Sequence, residues 1–330
     1  MPPRQRYQAM PRFSLGPARL TIEPPPQYPS AMVNVTNRCN LACAHCFVFR
    51  DGNPNDPRGE MKPERLLAEL RRLRDRHGFR RMLWMGGEPM IRWRMLEEGI
   101  KLFDENTITT NGTIPLRDFG PGVTYVISLD GPRDLNDAVR GAGVFDRVMK
   151  NLAALPEDFA PTVMVQCVVH RENQDRLEEL VHALLPTRVE GMTFSFYVPS
   201  AGEHSARSWE SLEEREAAVE IVADLKRRYP DFIWNSRRSL ELMRPATAKL
   251  VTDHCPLMTT TMPLYIEGDH FTTPFCCYGN DVDCDRCGAW AVFAVAAKMA
   301  GPWDEIAPPE QAAPSAGGRS QAAKAPEPVA

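Results

Sequence analysis

The sequence predicts an α/β protein, a partial (β/α)6 barrel followed by a small cysteine-rich element. Two observations support this fold class. Six apolar segments of strand length occur between residues 32 and 198, and most of them alternate with helical patterns. The alternation stops near residue 200, and five cysteines follow a charged helical segment. Strands that alternate with helices form parallel sheets with right-handed crossovers, which also allows a doubly wound sheet.

Each element follows from its local pattern. The predicted strands span residues 32–36, 81–85, 107–110, 123–129, 162–169 and 192–198. The predicted helices span residues 63–76, 91–103, 144–155, 175–184 and 209–228. One unit is irregular, because no convincing helix lies between Gly112 and Gly122. The segment 265–268 predicts a strand and turn, which we expect to form a β-hairpin.

Composition divides the chain into four parts. Residues 1–30 form a Pro-rich extended arm, residues 31–229 the barrel, residues 230–300 the cysteine-rich element and residues 301–330 a disordered tail. The 330 residues are 43% hydrophobic, which is enough for a large core.

Charge and hydropathy exclude several classes of function. The net charge is −4, so there is no basic field to attract nucleic acid. Neither a membrane-length apolar run nor a signal peptide is present, so we expect a cytoplasmic protein with no membrane partner. Nine cysteines in a reducing compartment point to metal binding or redox chemistry rather than to disulfides.

Three of those cysteines form the motif CxxxCxxC directly after the first predicted strand. Cys39, Cys43 and Cys46 offer three thiolates within one loop. A cluster of four irons usually takes four cysteines, so three would leave one iron open for another ligand. An incomplete zinc site or buried apolar cysteines are the alternatives, but zinc sites favour paired CxxC motifs.

Further motifs stand where later strands end, which is where α/β barrels gather their chemistry. Gly86-Gly87-Glu88-Pro89 follows the second strand, Thr110-Asn111-Gly112 the third and Ser128-Leu129-Asp130-Gly131-Pro132 the fourth. Taken singly, these are turn signals. Their placement after successive strands indicates a shared site.

In this combination, residues 32–200 resemble the radical S-adenosylmethionine (SAM) superfamily. The resemblance is closest to the branch with a C-terminal SPASM or twitch-type auxiliary-cluster domain. It implies that Cys39, Cys43 and Cys46 hold a 4Fe–4S cluster whose open iron chelates SAM. It also implies reductive cleavage of SAM to a 5′-deoxyadenosyl radical, which abstracts hydrogen from a substrate.

The same resemblance assigns candidate site residues. Those expected to bind SAM are Gly86, Gly87, Glu88, Pro89, Asn111, Ser128, Arg140 and His45. Arg140 is expected to pair with the SAM carboxylate, for which a guanidinium is well suited. His45 departs from the aromatic residue that relatives place near adenine, although an imidazole also stacks. Asp130 is the candidate catalytic residue.

A second cysteine group lies in the C-terminal element and resembles a shortened auxiliary-cluster domain. The expected ligands are Cys255, Cys276, Cys284 and Cys287, with Cys277 as the alternative to Cys276. A second 4Fe–4S cluster is preferred, and a four-cysteine zinc knuckle is the alternative, since spacing does not separate the two.

The sequence allows two classes of substrate. A small metabolite is slightly favoured, because no peptide-recognition domain precedes the barrel, and a peptide or protein is the alternative. Tyr197, Glu203 and His204 are candidates for substrate contact, each of which also fits a solvated loop. The reaction requires a low-potential electron donor such as flavodoxin or ferredoxin. The alternative from another class is a non-enzymatic iron–sulfur or zinc protein, which needs no SAM site.

Overall fold

The structure is a computed structural model that describes residues 27–49, 60–273 and 282–307. The strands are β1 (Ser30–Asn34), β2 (Arg81–Met85), β3 (Glu105–Thr110), β4 (Val123–Ser128), β5 (Thr162–Val169), β6 (Gly191–Phe196), β7 (Thr261–Glu267) and β8 (His270–Thr272). The helices are α1 (Pro63–His77), α2 (Trp93–Gly99), α3 (Arg133–Arg140), α4 (Val144–Ala153), α5 (Leu177–Leu184), α6 (Leu212–Arg228), α7 (Arg237–Leu242), α8 (Pro245–Asp253), α9 (Leu257–Thr260) and α10 (Trp290–Ala296).

The strands form one open eight-stranded sheet in the order β6-β5-β4-β3-β2-β1-β7-β8. Strands β1 to β6 are parallel in sequence order, which is the arrangement of a partial barrel and confirms the predicted fold class. The predicted hairpin is also present, as β7 pairs antiparallel with β8. It does not stand apart from the barrel, because β7 pairs parallel with β1 and extends the same sheet.

The outer face of the sheet packs on the helices. Helix α1 shows how the sequence produces this contact, since Leu66, Leu70 and Leu73 recur at helical spacing and are all fully buried. Pro63 begins the helix, and Gly78, at φ 73°, ends it in the left-handed conformation that glycine adopts readily. Each leucine buried in this way contributes about 1.5–3 kcal/mol.

The inner face of the sheet is only half buried, and its pattern alternates. In β3, Thr107 and Thr109 are partly exposed, whereas Asn106, Ile108 and Thr110 are buried. Parallel strands covered on both faces are usually continuous apolar runs. The hydroxyl side chains of β3 therefore indicate a concave inner face that is open to ligands or water.

Three details differ from the sequence expectations. The predicted helix 91–103 is broken into α2 and two flanking 3-10 turns. Helix α3 and helices α7 to α10 were not predicted. The tail was expected to begin at residue 301, but residues 302–305 form a 3-10 turn and Trp303 is buried, so this first part is ordered. Residues 1–26 of the arm and 308–330 of the tail lie outside the described residues.

Candidate functional site

The cysteine loop, residues 35–49, leaves β1 at the carboxyl edge of the sheet. Cys39, Cys43 and Cys46 are each partly buried in it. Backbone N–H groups point at two of the sulfurs: Leu41 N lies 3.4 Å from Cys39 Sγ, and Phe49 N lies 3.4 Å from Cys46 Sγ. These donors would stabilise negative charge on the thiolates.

The raised pKa values of these thiols mean that they must lose protons before they can bind a metal. Burial raises the pKa of Cys43 to about 11, although nearby Arg140 opposes the shift. Burial also raises the pKa of Cys39. Ligating sulfurs must be deprotonated, so metal binding here releases protons. Within the described ranges, no three His, Cys, Asp or Glu side chains converge on a single metal ion. Three thiols on one loop suit a cluster in which each binds a different iron.

The Gly86-Gly87-Glu88-Pro89 turn packs directly against the cysteine loop. Gly87 N donates to Thr36 O, and Glu88 N to Arg38 O, both at 2.8 Å. A Cβ atom on Gly87 would lie 2.1 Å from Arg38 O, so no larger residue fits. The sequence led us to expect that the glycines admit a ligand. In the structure the glycines let two backbone segments meet.

Glu88 joins this turn to the end of β3. Its side chain is fully buried and accepts hydrogen bonds from Met90 N at 2.9 Å, Thr110 Oγ1 at 2.7 Å and Asn111 N at 2.7 Å. Burial raises the pKa of Glu88, while these hydrogen bonds lower it. Pro89, also buried, begins the 3-10 turn that follows. Glu88 thus contacts protein groups on several sides and holds two strand-end turns together.

Asn111 connects the turn after β3 to the cysteine loop. Its amide nitrogen donates to Asn40 Oδ1 at 2.9 Å and lies 3.9 Å from Cys39 Sγ. Its oxygen accepts from the backbone and hydroxyl of Thr113 at 3.0 and 2.6 Å. The turns after β1, β2 and β3 are therefore one hydrogen-bonded assembly around Cys39.

Asp130 is the centre of a buried charged group behind the loop. Its carboxylate lies 2.8 Å from His45 Nε2 and 2.7 Å from Arg140 Nε, and it accepts from Val168 N at 2.9 Å. The pKa of Asp130 stays well below its ordinary value: burial raises it, but Arg140 and His45 lower it more. Asp130 is 0% exposed and contacts other protein groups, so it is placed to hold His45 and Arg140 in position.

His45 and Arg140 are both held by this carboxylate. The Nδ1 atom of His45 is buried with no hydrogen-bond partner in the described part of the chain. The His45 ring meets the His170 ring edge-on at 6.3 Å. Ala44 N donates to Val139 O at 2.8 Å, which ties the cysteine loop to α3 beside Arg140. These contacts fix the part of the cysteine loop that lies between Cys43 and Cys46.

Ser128 lies on the open inner face rather than in the buried group. It is paired in register with Gln166, which is paired in turn with Thr193. The Gln166 amide lies 3.4 Å from Thr193 Oγ1. Gln166 and Thr193 both lie in predicted strands, 162–169 and 192–198, but the sequence did not indicate either as a site residue. The signal was available, because polar residues at every second position of a parallel strand indicate an open face.

The C-terminal cysteines lie against the end of β6. Cys284 and Cys287 flank a 3-10 turn, and Cys255 follows α8, which contacts that turn through a 2.7 Å ion pair between Lys249 and Asp285. A backbone hydrogen bond fixes this loop to the barrel, since Phe196 N donates to Gly288 O at 2.8 Å. Cys276 and Cys277 lie outside the described residues.

The three substrate candidates beyond β6 fall into two groups. Tyr197 Oη donates to Glu203 Oε1 at 2.8 Å, and Arg286 Nη2 donates to Glu203 O at 2.8 Å. Tyr197 and Glu203 thus organise the loop that supports the CxxC turn. His204 pairs with Glu210 at 2.6 Å in an exposed position.

Fold and site together define an α/β partial barrel with a thiol-rich ligand site at the carboxyl ends of its strands. Residues 33–184 match the model described as the Radical SAM superfamily. Over these residues, somewhat less than half of the chain, the sequence is similar to that superfamily, whose enzymes work with a 4Fe–4S cluster and SAM. No helix in the described part of the chain is long and apolar enough to cross a membrane.

Curated relatives are similar over part of their length. Fe-coproporphyrin III synthase of Methanosarcina barkeri is 27% identical over 69% of this chain and 56% of its own. Mycofactocin maturase MftC of Mycolicibacterium smegmatis is 30% identical over 44% of this chain and 38% of its own. The chain thus spans about half the length, or less, of these relatives.

Solved structures share the fold at low identity. Native anSMEcpe with bound AdoMet superposes with a TM-score of 0.59 at 16% identity, covering 84% of this chain and 88% of that one. Streptococcus suis SuiB bound to S-adenosylmethionine gives a TM-score of 0.57 at 17% identity, covering 72% of this chain and 58% of SuiB. These likenesses support the open barrel.

Proposed function

We propose that this chain reductively cleaves SAM and uses the product to abstract hydrogen from a substrate on the inner face of the sheet. The observation that carries the proposal is the hydrogen-bonded assembly of the turns after β1, β2 and β3 around Cys39. Cys39, Cys43 and Cys46 would hold a 4Fe–4S cluster, which would supply the electron for the reductive cleavage of SAM.

The protein's part is to bind, orient and exclude water. Arg140 is held through Nε by Asp130, and its guanidinium would bind the SAM carboxylate. Carbonyl oxygens of the Gly86–Pro89 turn would accept from the SAM ammonium. Ser128, half-buried at the end of β4, would contact the sugar.

The test is production of 5′-deoxyadenosine by the anaerobically reconstituted, reduced protein with SAM. Cys43→Ala is expected to abolish the product, because it removes one of three cluster ligands. Cys167→Ala is the matched control: Cys167 is fully buried in β5 and should be dispensable for cleavage. Product at the wild-type rate from Cys43→Ala, or none from the wild type, would contradict the proposal and favour an electron carrier.

For the substrate we propose a small metabolite with neutral hydrogen-bonding groups. Thr109, Ser128 and Gln166 offer hydroxyl and amide groups on the inner face of β3 to β5. Dehydrogenation, epimerisation, deoxygenation and C–C bond formation all fit. The low-molecular-weight fraction of a dialysed cell extract should raise the rate of 5′-deoxyadenosine formation above the rate without added substrate. Stimulation by the retained fraction alone would favour a peptide or protein.

The reaction needs a low-potential electron donor, for which we propose a flavodoxin or ferredoxin. We also propose a second 4Fe–4S cluster in the C-terminal element, with Cys255, Cys284 and Cys287 as ligands. The fourth ligand predicted from sequence, Cys276 or Cys277, lies outside the described residues. The close attachment of the CxxC turn to the end of β6 supports a structural link between this site and the barrel.

A further inference from the structure

Arg215 of α6 is a buried cation beside the C-terminal cysteines. It is 1% exposed, and its guanidinium donates to Cys287 O at 2.8 Å, Arg286 O at 3.1 Å and Met243 O at 3.0 Å. All three acceptors are neutral backbone carbonyls. Its Nε atom has no hydrogen-bond partner in the described part of the chain. Arg215 therefore holds the CxxC turn, yet its own charge is not balanced by any of these contacts.

Two other arginines with largely buried side chains have a carboxylate partner among the described residues. Arg140 pairs with Asp130, and Arg238 pairs with Asp304. No carboxylate among the described residues lies within ion-pair distance of Arg215.

A buried cation without an opposite charge is costly, so buried charges are as a rule paired or placed beside a metal site. A neutral Cys287 thiol does not supply that charge. A centre bound by several thiolates does, because the sulfurs carry more negative charge than the metal offsets. The position of Arg215 at the carbonyl of Cys287 thus indicates that the cysteines around it act as thiolates.

We infer that Arg215 supplies the positive charge that balances an anionic metal–thiolate centre at Cys284 and Cys287. The inference rests on the second cluster proposed above. A fixed cation at this distance favours the more negative, reduced state of such a cluster. Net charge and hydrogen bonding near the sulfurs are among the factors that set iron–sulfur potentials. Arg215 is therefore a positioning residue that also raises the potential of the centre.

The test uses the full chain with Cys39, Cys43 and Cys46 all replaced by Ala, so that the C-terminal centre is the one observed. In this parent, Arg215→Met removes the charge, and Arg215→Lys keeps it while losing the three-way carbonyl contact. Arg238→Met is the matched control, since it removes a buried arginine that already has a carboxylate. Iron and sulfide are counted after anaerobic reconstitution, and the midpoint potential is followed by electron paramagnetic resonance.

We expect Arg215→Met to make the potential more negative by at least a tenfold change in the reduction equilibrium, about 59 mV for one electron. Arg215→Lys and Arg238→Met should stay near the parent value. An unchanged potential in Arg215→Met would overturn the inference. So would an equal shift in Arg215→Lys, because contact geometry rather than charge would then be responsible. If Arg215→Met binds no iron while Arg215→Lys does, the charge requirement is supported; if neither binds iron, it is overturned.

Failure of the proposed second cluster gives a different result. The parent would then bind zinc instead of iron, or no metal. If the parent binds zinc, its zinc affinity is measured by competition with a chelator instead of the midpoint potential. At least a tenfold loss of zinc affinity in Arg215→Met, with no loss in Arg215→Lys, supports Arg215 as the counter-charge. Equal affinities overturn it. A parent that binds no metal contradicts both proposals.

Discussion

Asp130 connects three separate segments of the chain at one buried point. Its carboxylate meets His45 from the cysteine loop, Arg140 from α3 and the backbone of Val168 in β5. Asn173 fixes it further by donating to its carbonyl at 2.7 Å. A buried carboxylate stays ionised only if such partners offset the loss of water. The residue that looked like part of a turn motif is thus the anchor of the loop that carries the cysteines.

Replacing Asp130 by Asn should therefore damage both stability and cluster binding. The variant leaves the Arg140 charge buried without a partner, a change that typically costs about 3–5 kcal/mol. Urea unfolding and iron content after reconstitution measure the two effects. Asp134→Asn is the control, because Asp134 lies in α3, the helix of Arg140, in an exposed pair with Arg176 and should leave both values unchanged. Wild-type stability in Asp130→Asn would show that the buried pair is dispensable.

The same carboxylate sets a direction for pH dependence. Its folded pKa is lower than the unfolded value of about 3.9, so the stability it contributes is present above that pH. This stability is lost as the pH falls toward the folded pKa. The difference in urea midpoint between wild type and Asp130→Asn should narrow on acidification below about pH 4. A constant difference would contradict the assignment.

At the scale of elements, the cysteine loop and the glycine turn behave as one unit. Two backbone hydrogen bonds of 2.8 Å join them, from Gly87 to Thr36 and from Glu88 to Arg38. Sequence placed both segments at neighbouring strand ends but did not indicate that they bond to each other. Such contacts join residues about fifty positions apart, and a local pattern carries no information on them.

Gly87→Ala should push the glycine turn away from the cysteine loop. The new Cβ would meet the Arg38 carbonyl at 2.1 Å, so that one backbone segment has to move. We expect reduced iron content and loss of 5′-deoxyadenosine production, with the sheet intact by circular dichroism. Gly122→Ala is the matched control, since its Cβ would find its nearest atom at 3.8 Å. Full iron loading in Gly87→Ala would mean that the glycine is not required for the approach.

The bounds of the strands could be predicted from the sequence, whereas helix α3 could not. The predicted bounds 81–85 and 162–169 agree with β2 and β5, because apolar runs between turn residues are a strong local signal. Helix α3 is short and polar and stands between Gly131 and Gly141. Its buried residues include Asn136 and Arg140, so it turns polar groups inward and shows no apolar stripe. A functional helix of this kind escapes pattern reasoning because its partner is the site itself.

In the whole molecule, the two cysteine groups are attached to different strands of one open sheet, in which β6 is an edge strand and β1 an interior strand. The cysteine loop leaves β1, and the CxxC turn is fastened to the end of β6. The inner face between them carries the half-buried hydroxyl and amide side chains of β3 to β5. Sequence predicted the order of β1 to β6 but not the addition of β7 to the β1 edge, since strand pairing between distant segments has no local signature.

Iron and sulfide content after anaerobic reconstitution tests the account most directly. The intact chain should bind about eight irons, and the variant with Cys39, Cys43 and Cys46 as Ala about four, given one four-iron cluster at each site. A fall from about four irons to almost none would leave one cluster and make the C-terminal cysteines a zinc or thiol site. Iron content unaffected by the three substitutions would contradict the central claim that this loop holds the cluster.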